Sequence, residues 1–198
     1  MALVRTFRLP HYEDYPVHVA MFKDVTNAAF LRSQLLSANP DFDYAFLDAT
    51  MILSSHQLLL ATLLALHSHL AARSKTRTPH SELVFRLHPN NNIGESYRKF
   101  GISDDSTHLI AVKLSLSPQV TDESVSKHLG EVISGKPVEL GEEGGELGVQ
   151  ADLGKIAKVY KLNNTAETKK GSAVNGATGD QQKHMESVIL GIMTLKGS

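Results

Sequence analysis

A leucine-rich stretch between residues 54 and 73 places the strongest constraint on how this chain can fold. The stretch begins at Ser54-Ser55 and ends at Arg73, and on a helix its leucines would point in nearly every direction. A helix that is apolar on all sides is normally buried on all sides. We therefore predict one long, buried central helix that carries Leu58, Leu59, Leu60, Leu63, Leu64, Leu66 and Leu70.

Shorter periodic segments around this helix predict a sheet with further helices. Runs of strand length and composition occur at 3–9, 17–22, 44–47, 82–87, 107–114 and 137–140. Apolar residues at helical spacing occur at 27–36, 121–133 and 153–160. The predicted fold is a single α/β (α+β) domain over residues 1–162, with helices packed on a mixed, mostly antiparallel sheet.

The last part of the chain predicts a tethered helix. Residues 163–179 are rich in Asn, Thr, Ala, Gly and Lys, a composition typical of a flexible linker. Residues 180–198 follow with a helical apolar arc wider than one core contact needs, so this helix packs back on the domain, binds a partner, or does both. The Gly/Glu-rich residues 141–148 lack apolar periodicity and predict a loop.

The composition excludes several classes of protein. The chain has 198 residues, no Cys and a formal net charge of −1. Without Cys it has no disulfide, no thiol chemistry and no zinc finger. Its longest apolar run is far below the roughly 20 residues of a membrane-spanning helix, so no membrane partner is expected. Nucleic-acid binding by such a chain requires a local basic patch.

Sequence motifs give no positive support for an enzyme. The chain lacks a phosphate-binding Gly-rich loop, a G-x-S-x-G elbow and an H-E-x-x-H pair. Asp104-Asp105 is more typical of a solvated loop, and the ten histidines have no metal-ligand spacing. We therefore predict no catalytic residue, metal or cofactor. A small enzyme that uses His and Asp residues gathered by folding stays open as an alternative.

Residues 73–78 form a basic segment directly after the long helix. Charged and hydroxyl residues alternate, and in an extended segment Arg73, Lys75 and Arg77 would project to one face. Three cations with hydroxyl neighbours suit contacts to phosphate and sugar. Alternatively, these basic residues are simply solvated at the surface, or they interact favourably with the C-terminal dipole of the preceding helix.

An asparagine-rich turn at residues 89–92 precedes a short predicted helix. Asn92 is a good N-cap, Glu95 could complete a capping box, and Gly101 is placed as a left-handed stop. Predicted strands at 82–87 and 107–114 flank this helix. Asparagine is common in turns because it tolerates left-handed backbone angles and bonds its own backbone. The alternative is that the side-chain amides of Asn90 and Asn91 form a functional cluster.

Four blocks of sequence, taken in order, resemble one family. They are residues 22–28 followed by Leu31-Arg32, residues 75–78 upstream of Ser81-Glu82, residues 89–93 with 99–102, and residues 158–162. With these blocks the chain resembles the smallest core subunit of the KEOPS (EKC) tRNA-modification complex, the TPRKB or PRPK-binding-protein family, and a fungal member is expected. The Gly/Glu insert and the linker depart from compact relatives.

The resemblance implies a non-catalytic subunit with a mixed α/β fold. Such subunits bind the small atypical kinase/ATPase subunit directly and other KEOPS subunits indirectly. The complex installs the threonylcarbamoyl group on the adenosine next to the anticodon. Archaeal relatives capture the 3′ CCA end of tRNA, and fungal and animal relatives are linked to telomere maintenance. The expected location is the nucleus and cytoplasm.

These expectations assign two sets of residues. The predicted tRNA contacts are Arg73, Lys75, Arg77, Asn90, Asn91, Asn92, Arg98 and Lys99. The predicted contacts to the kinase subunit are Met185, Val188, Ile189, Ile192 and Met193. A scaffold that stimulates the kinase without touching RNA is the alternative function.

Overall fold

A long second strand organises the sheet in the computed structural model, which describes residues 1–141, 147–162 and 177–196. The strand order is β1-β2-β4-β3, with β5 beside the end of β2, and every pairing between these strands is antiparallel. The strands are β1 (Val4–Leu9), β2 (Tyr12–Lys23), β3 (Ala45–Asp48), β4 (Leu109–Leu114) and β5 (Lys136–Val138).

Alternating side chains give the sheet two buried faces. Val19 and Met21 of β2 belong to one hydrophobic core, while Ala20 and Phe22 belong to a second. Helices α1 (Ala28–Leu36) and α5 (Asp122–Val132) cover the second core. The first core is covered by α2 (Ser55–Leu70), α3 (Pro79–Leu87), α4 (Ile93–Phe100), α6 (Leu153–Val159) and α7 (Ala177–Leu195). The predicted α+β class is confirmed.

The predicted strand at 82–87 is wrong, because these residues form the end of α3. Thr78 caps that helix, since its Oγ1 accepts from Ser81 N at 3.1 Å, and Pro79 occupies the first helical position. Proline is favoured there because its fixed φ suits the helix and its missing N–H has no helical partner. The strand-like composition of residues 82–87 predicted a strand, although Thr78 and Pro79 are typical of the start of a helix.

The long helix α2 is present as predicted, but it is not buried on all sides. Leu58, Ala61 and Leu66 are inaccessible to solvent. Leu59, Leu60, Leu63 and Leu64 are only half-buried, and Leu70 is exposed. The outward face of α2 is therefore apolar and partly open to solvent.

Several element boundaries also differ from the predictions. Strand β2 begins at Tyr12, five residues before the predicted start. Residues 177–179, which composition assigned to the linker, belong to α7. The rest of the predicted linker and most of the Gly/Glu loop lie outside the described residues. Within the described residues, no helix is both long and apolar enough to cross a membrane.

Candidate functional site

Helices α3 and α4 pack as an antiparallel hairpin that carries all eight predicted tRNA-contacting residues on or beside it. Tyr97 of α4 makes a side-chain hydrogen bond to Ser81 at the start of α3, which fixes the hairpin's direction. Residues 73–78 precede α3 and are called the basic loop; residues 89–92 follow it and are called the Asn turn. Nine residues of helix place these two segments about 13 Å apart. All eight side chains are exposed.

The basic loop presents its cations outward but bends instead of running extended. Arg73, Lys75 and Arg77 are exposed, and the hydroxyl residues between them are half-buried. Thr76 Oγ1 donates to the Glu82 carboxylate at 3.0 Å, so that hydroxyl faces the protein instead of a ligand. The predicted use of neighbouring hydroxyls for phosphate or sugar contacts is wrong for Thr76, and for Thr78, which caps α3.

Glu82 holds the basic loop and was missed by sequence reasoning. Its side chain is fully buried, and Oε2 accepts from Lys75 N at 2.9 Å and from Thr76 N at 3.1 Å. A buried carboxylate needs several donors to offset its desolvation, and the loop backbone supplies them. The sequence does give one signal for this role, because Glu82 lies four positions after the helix cap Thr78 and seven after Lys75.

The Asn turn combines one capping asparagine with two unused amides. Asn92 Oδ1 accepts from Glu95 N at 3.0 Å, as predicted for an N-cap. Burial lowers the pKa of His88, which favours the neutral ring whose Nδ1 accepts from Asn90 N at 3.0 Å. The exposed side chains of Asn90 and Asn91 form no hydrogen bond within the described residues.

Two details of the predicted α4 termini are wrong. The Glu95 carboxylate does not complete a capping box, because it pairs with Arg98 Nη2 at 2.5 Å. Gly101 is not left-handed, since its φ is −75°. A Cβ at Gly101 would lie 2.6 Å from Tyr97 O, so glycine is required there for a close backbone approach.

The C-terminal helix divides its predicted kinase contacts between core and surface. Ile189 and Met193 are completely buried in the first core. Met185 and Ile192 pack against that core while half-exposed, and Val188 is half-exposed. The side chains that α7 can offer to a partner in this conformation are therefore Met185, Val188 and Ile192.

Helix α7 packs beside α2, which adds apolar side chains that sequence reasoning did not assign to a site. His56 Nδ1 of α2 lies 2.9 Å from Glu186 Oε1 of α7, so the two helices also meet at the surface. We call seven half-exposed apolar residues of these two helices the α2–α7 surface: Leu59, Leu60, Leu63, Leu64, Met185, Val188 and Ile192.

A buried His–Asp pair bears on the enzyme alternative. His80 Nε2 accepts from Leu114 N at 3.0 Å, which leaves the proton on Nδ1, 3.1 Å from Asp43 Oδ2. The ring is 2% exposed, and burial is the main cause of its lowered pKa. Because Nε2 accepts from the backbone of β4 and the ring is buried, His80 fixes the start of α3 against the sheet.

The fourth sequence block, residues 158–162, lies at the end of α6. In the fourth block, Tyr160 is buried, where its hydroxyl donates to Leu87 O, while Lys158 and Lys161 are exposed at the end of α6. No group of three His, Asp or Glu side chains that could hold a metal ion occurs in the described parts of the chain.

Comparisons with known proteins identify close relatives. The family model of kinase binding protein CGI-121 matches residues 22–197. The EKC/KEOPS complex subunit CGI121 of Phaeosphaeria nodorum is 54% identical over 99% of this chain and 100% of that protein. The corresponding subunit of Aspergillus fumigatus is 43% identical over 98% and 97%, and that of Coccidioides immitis is 38% identical over the full length of both chains.

Proposed function

This chain belongs to the family of kinase binding protein CGI-121, and we propose that it is the non-catalytic subunit of an EKC/KEOPS complex that recruits tRNA. In this role it binds the small atypical kinase/ATPase subunit directly and contacts tRNA, including its 3′ CCA end. The complex then modifies the adenosine next to the anticodon with a threonylcarbamoyl group. The supporting relatives are named as subunits of that complex.

One observation carries the tRNA part of this proposal: a single helical hairpin exposes three loop cations and two unused amides. Lysine and arginine contact phosphates without regard to sequence, which suits Lys75 and Arg77. Exposed amides suit the edges of unpaired bases, the usual targets of sequence-specific RNA recognition. Asn90 and Asn91 fit that second task, and about 13 Å separates the two groups.

A gel shift with intact tRNA and with tRNA lacking its CCA end tests this part. We expect the intact tRNA to bind more tightly, and Lys75→Ala with Arg77→Ala to weaken binding and reduce the salt slope by about one per cation removed. The control is Lys136→Ala, which removes an exposed lysine at the start of β5, away from the hairpin in sequence. If the double variant keeps both the affinity and the slope, the scaffold function without RNA contact replaces the proposal.

The α2–α7 surface supports the kinase-binding part. Exposed apolar patches on soluble domains often mark protein interaction sites, and this one includes three residues of the helix that was predicted to contact the kinase. Among its members, Leu64 and Val188 are half-exposed and do not pack against the first core. They are therefore the positions where a charge disturbs a partner more than the fold.

Pull-down with the purified kinase subunit tests this surface. We expect Leu64→Glu and Val188→Glu each to weaken capture strongly while the chain stays folded by circular dichroism. Leu36→Glu is the control, because Leu36 is 73% exposed on α1, which packs on the opposite face of the sheet. Unchanged capture by both α2–α7 variants would place the kinase contact on another face.

A further inference from the structure

We infer that Lys196, the residue directly after α7, holds both the basic loop and the Asn turn in place, through a buried hydrogen-bond network that it forms with Glu82 and Arg86. These three residues are positioning residues for tRNA capture. The inference rests on the proposed function, since it links the helix assigned to the kinase with the two segments assigned to tRNA.

The first branch of the network runs from the basic loop to α7. One Glu82 oxygen takes the loop's backbone N–H groups, and the other, Oε1, accepts from Arg86 Nε at 3.0 Å. Arg86 Nη1 donates to Lys196 O at 3.0 Å, and Nη2 donates to Ser68 Oγ at 2.7 Å. The guanidinium therefore joins the loop's anchor to α2 and to the residue that follows α7.

The second branch runs from α7 to the Asn turn. Lys196 Nζ donates to Phe85 O and, at 2.7 Å, to His88 O, and it lies 3.7 Å from the centre of the Phe85 ring. His88 in turn accepts the Asn90 N–H on its ring. Lys196 therefore binds the main-chain oxygens of the segment that leads directly into the Asn turn.

Burial makes this network sensitive to the loss of any member. Glu82, Arg86 and Lys196 are at most 8% exposed, and the network holds two cations for one carboxylate. Burial, and then the Arg86 charge, lower the pKa of Lys196 to about 8. Buried charged groups cost free energy unless all their hydrogen bonds are made. The loop and the turn are therefore ordered together with the end of α7.

Amide hydrogen exchange on the full-length chain tests the coupling directly. Lys196→Met removes the amine but keeps an unbranched side chain of similar length. We expect the Asn90 amide to exchange about tenfold faster, the scale expected for a lost charge-assisted hydrogen bond. The Lys75 and Thr76 amides should stay protected, because Arg86 still donates to the main-chain oxygen of residue 196. Lys183→Met, at an exposed lysine on α7, is the matched control and should leave all three amides unchanged.

A second variant separates the two branches. Ser68→Ala removes one Arg86 partner and leaves Lys196 intact. It should speed exchange at Lys75 and Thr76 and leave Asn90 unchanged, and it provides the test if Lys196→Met does not fold. Unchanged exchange at Lys75 and Thr76 in Ser68→Ala, or at Asn90 in Lys196→Met, would overturn the inference whatever the tRNA result.

A tRNA titration then connects the network to function. We expect Lys196→Met to weaken tRNA binding about tenfold with an unchanged salt slope, because the exposed cations remain. Suppose that Lys75→Ala with Arg77→Ala weakens tRNA binding, but Lys196→Met speeds amide exchange without weakening it. That result would overturn the positioning role and leave the tRNA-binding proposal in place. If the wild-type chain binds no tRNA, the proposed function fails and the positioning role fails with it. The exchange data would still report the network separately.

Discussion

At the residue scale, the three adjacent asparagines of the Asn turn have different roles. Asn92 caps α4 through Glu95 N. Asn90 is anchored by its backbone to His88, and its side chain, like that of Asn91, is exposed without a hydrogen-bond partner among the described residues. Local rules therefore account for Asn92, while the side chains of Asn90 and Asn91 are available for a ligand.

Stability measurements distinguish these roles. Asn92→Ala should lower the free energy of unfolding by about 1 kcal/mol, because α4 loses its N-cap. Asn91→Ala should change the free energy of unfolding by less than about 0.5 kcal/mol and still weaken tRNA binding. Urea unfolding of both variants, followed by gel shift, provides the measurement. An equal loss of stability in the two variants would mean that Asn91 is a structural residue.

The residues that sequence reasoning missed are those whose roles depend on distant partners. The cap at Asn92 could be predicted because donor and acceptor are three residues apart. Glu82 could not be assigned, because its function depends on burial against a loop and on Arg86, whose other partners include Lys196, 110 residues away in sequence. The exposure of the eight predicted tRNA contacts was predictable because polar side chains at turns and helix ends face solvent.

At the scale of the element, α3 and α7 show how tertiary context overrides local pattern. Alternating residues at 82–87 resemble a strand, yet α3 forms because Thr78 and Pro79 start a helix and both sides of it are buried. Helix α7 has an apolar arc of the predicted kind. Its width is explained by two tasks, since Ile189 and Met193 enter the core and Val188 faces outward.

Truncations in α7 test this division. Ile189→Ala should lower the free energy of unfolding by about 2–5 kcal/mol, as expected for a fully buried Ile. Val188→Ala should cost less than about 1 kcal/mol, because Val188 is half-exposed and loses little buried area. Chemical denaturation with helicity as the signal gives both values. Similar costs for the two variants would contradict the observed orientation of α7.

At the scale of the whole molecule, a sheet covered on both faces buries several histidines. Burial is the largest cause of a lowered pKa for His18, His80, His88 and His128. Each therefore binds a proton less readily in the folded chain than in the unfolded chain. Between the unfolded pKa of about 6.5 and the lower folded values, the unfolded state holds more protons, so acid favours unfolding.

Stability should accordingly fall as the pH drops below about 6.5. Urea unfolding at pH 7.5 and at pH 5.5 measures this, with a lower midpoint expected at the acidic pH. A midpoint that is constant or higher at pH 5.5 would contradict the assignment of these rings as neutral in the folded chain.

The whole chain is nearly neutral, so its proposed activity depends on two local surfaces instead of its overall charge. The hairpin of α3 and α4, proposed to contact tRNA, and the α2–α7 surface both lie on the side of the sheet covered by α2, α3, α4 and α7. The α+β class was predictable from periodicity. The pairing of α7 with α2 was not, because nothing in the sequence of either helix specifies which neighbour covers it.

We propose that this chain binds the kinase subunit and tRNA at the same time, and a gel-mobility experiment with labelled tRNA is the sharpest test. Adding this chain should shift the tRNA, and adding the kinase subunit should shift the complex further. Val188→Glu should lose only the second shift, and Lys75→Ala with Arg77→Ala should weaken the first. Release of the tRNA when the kinase subunit is added, or no shift with this chain, would contradict the account.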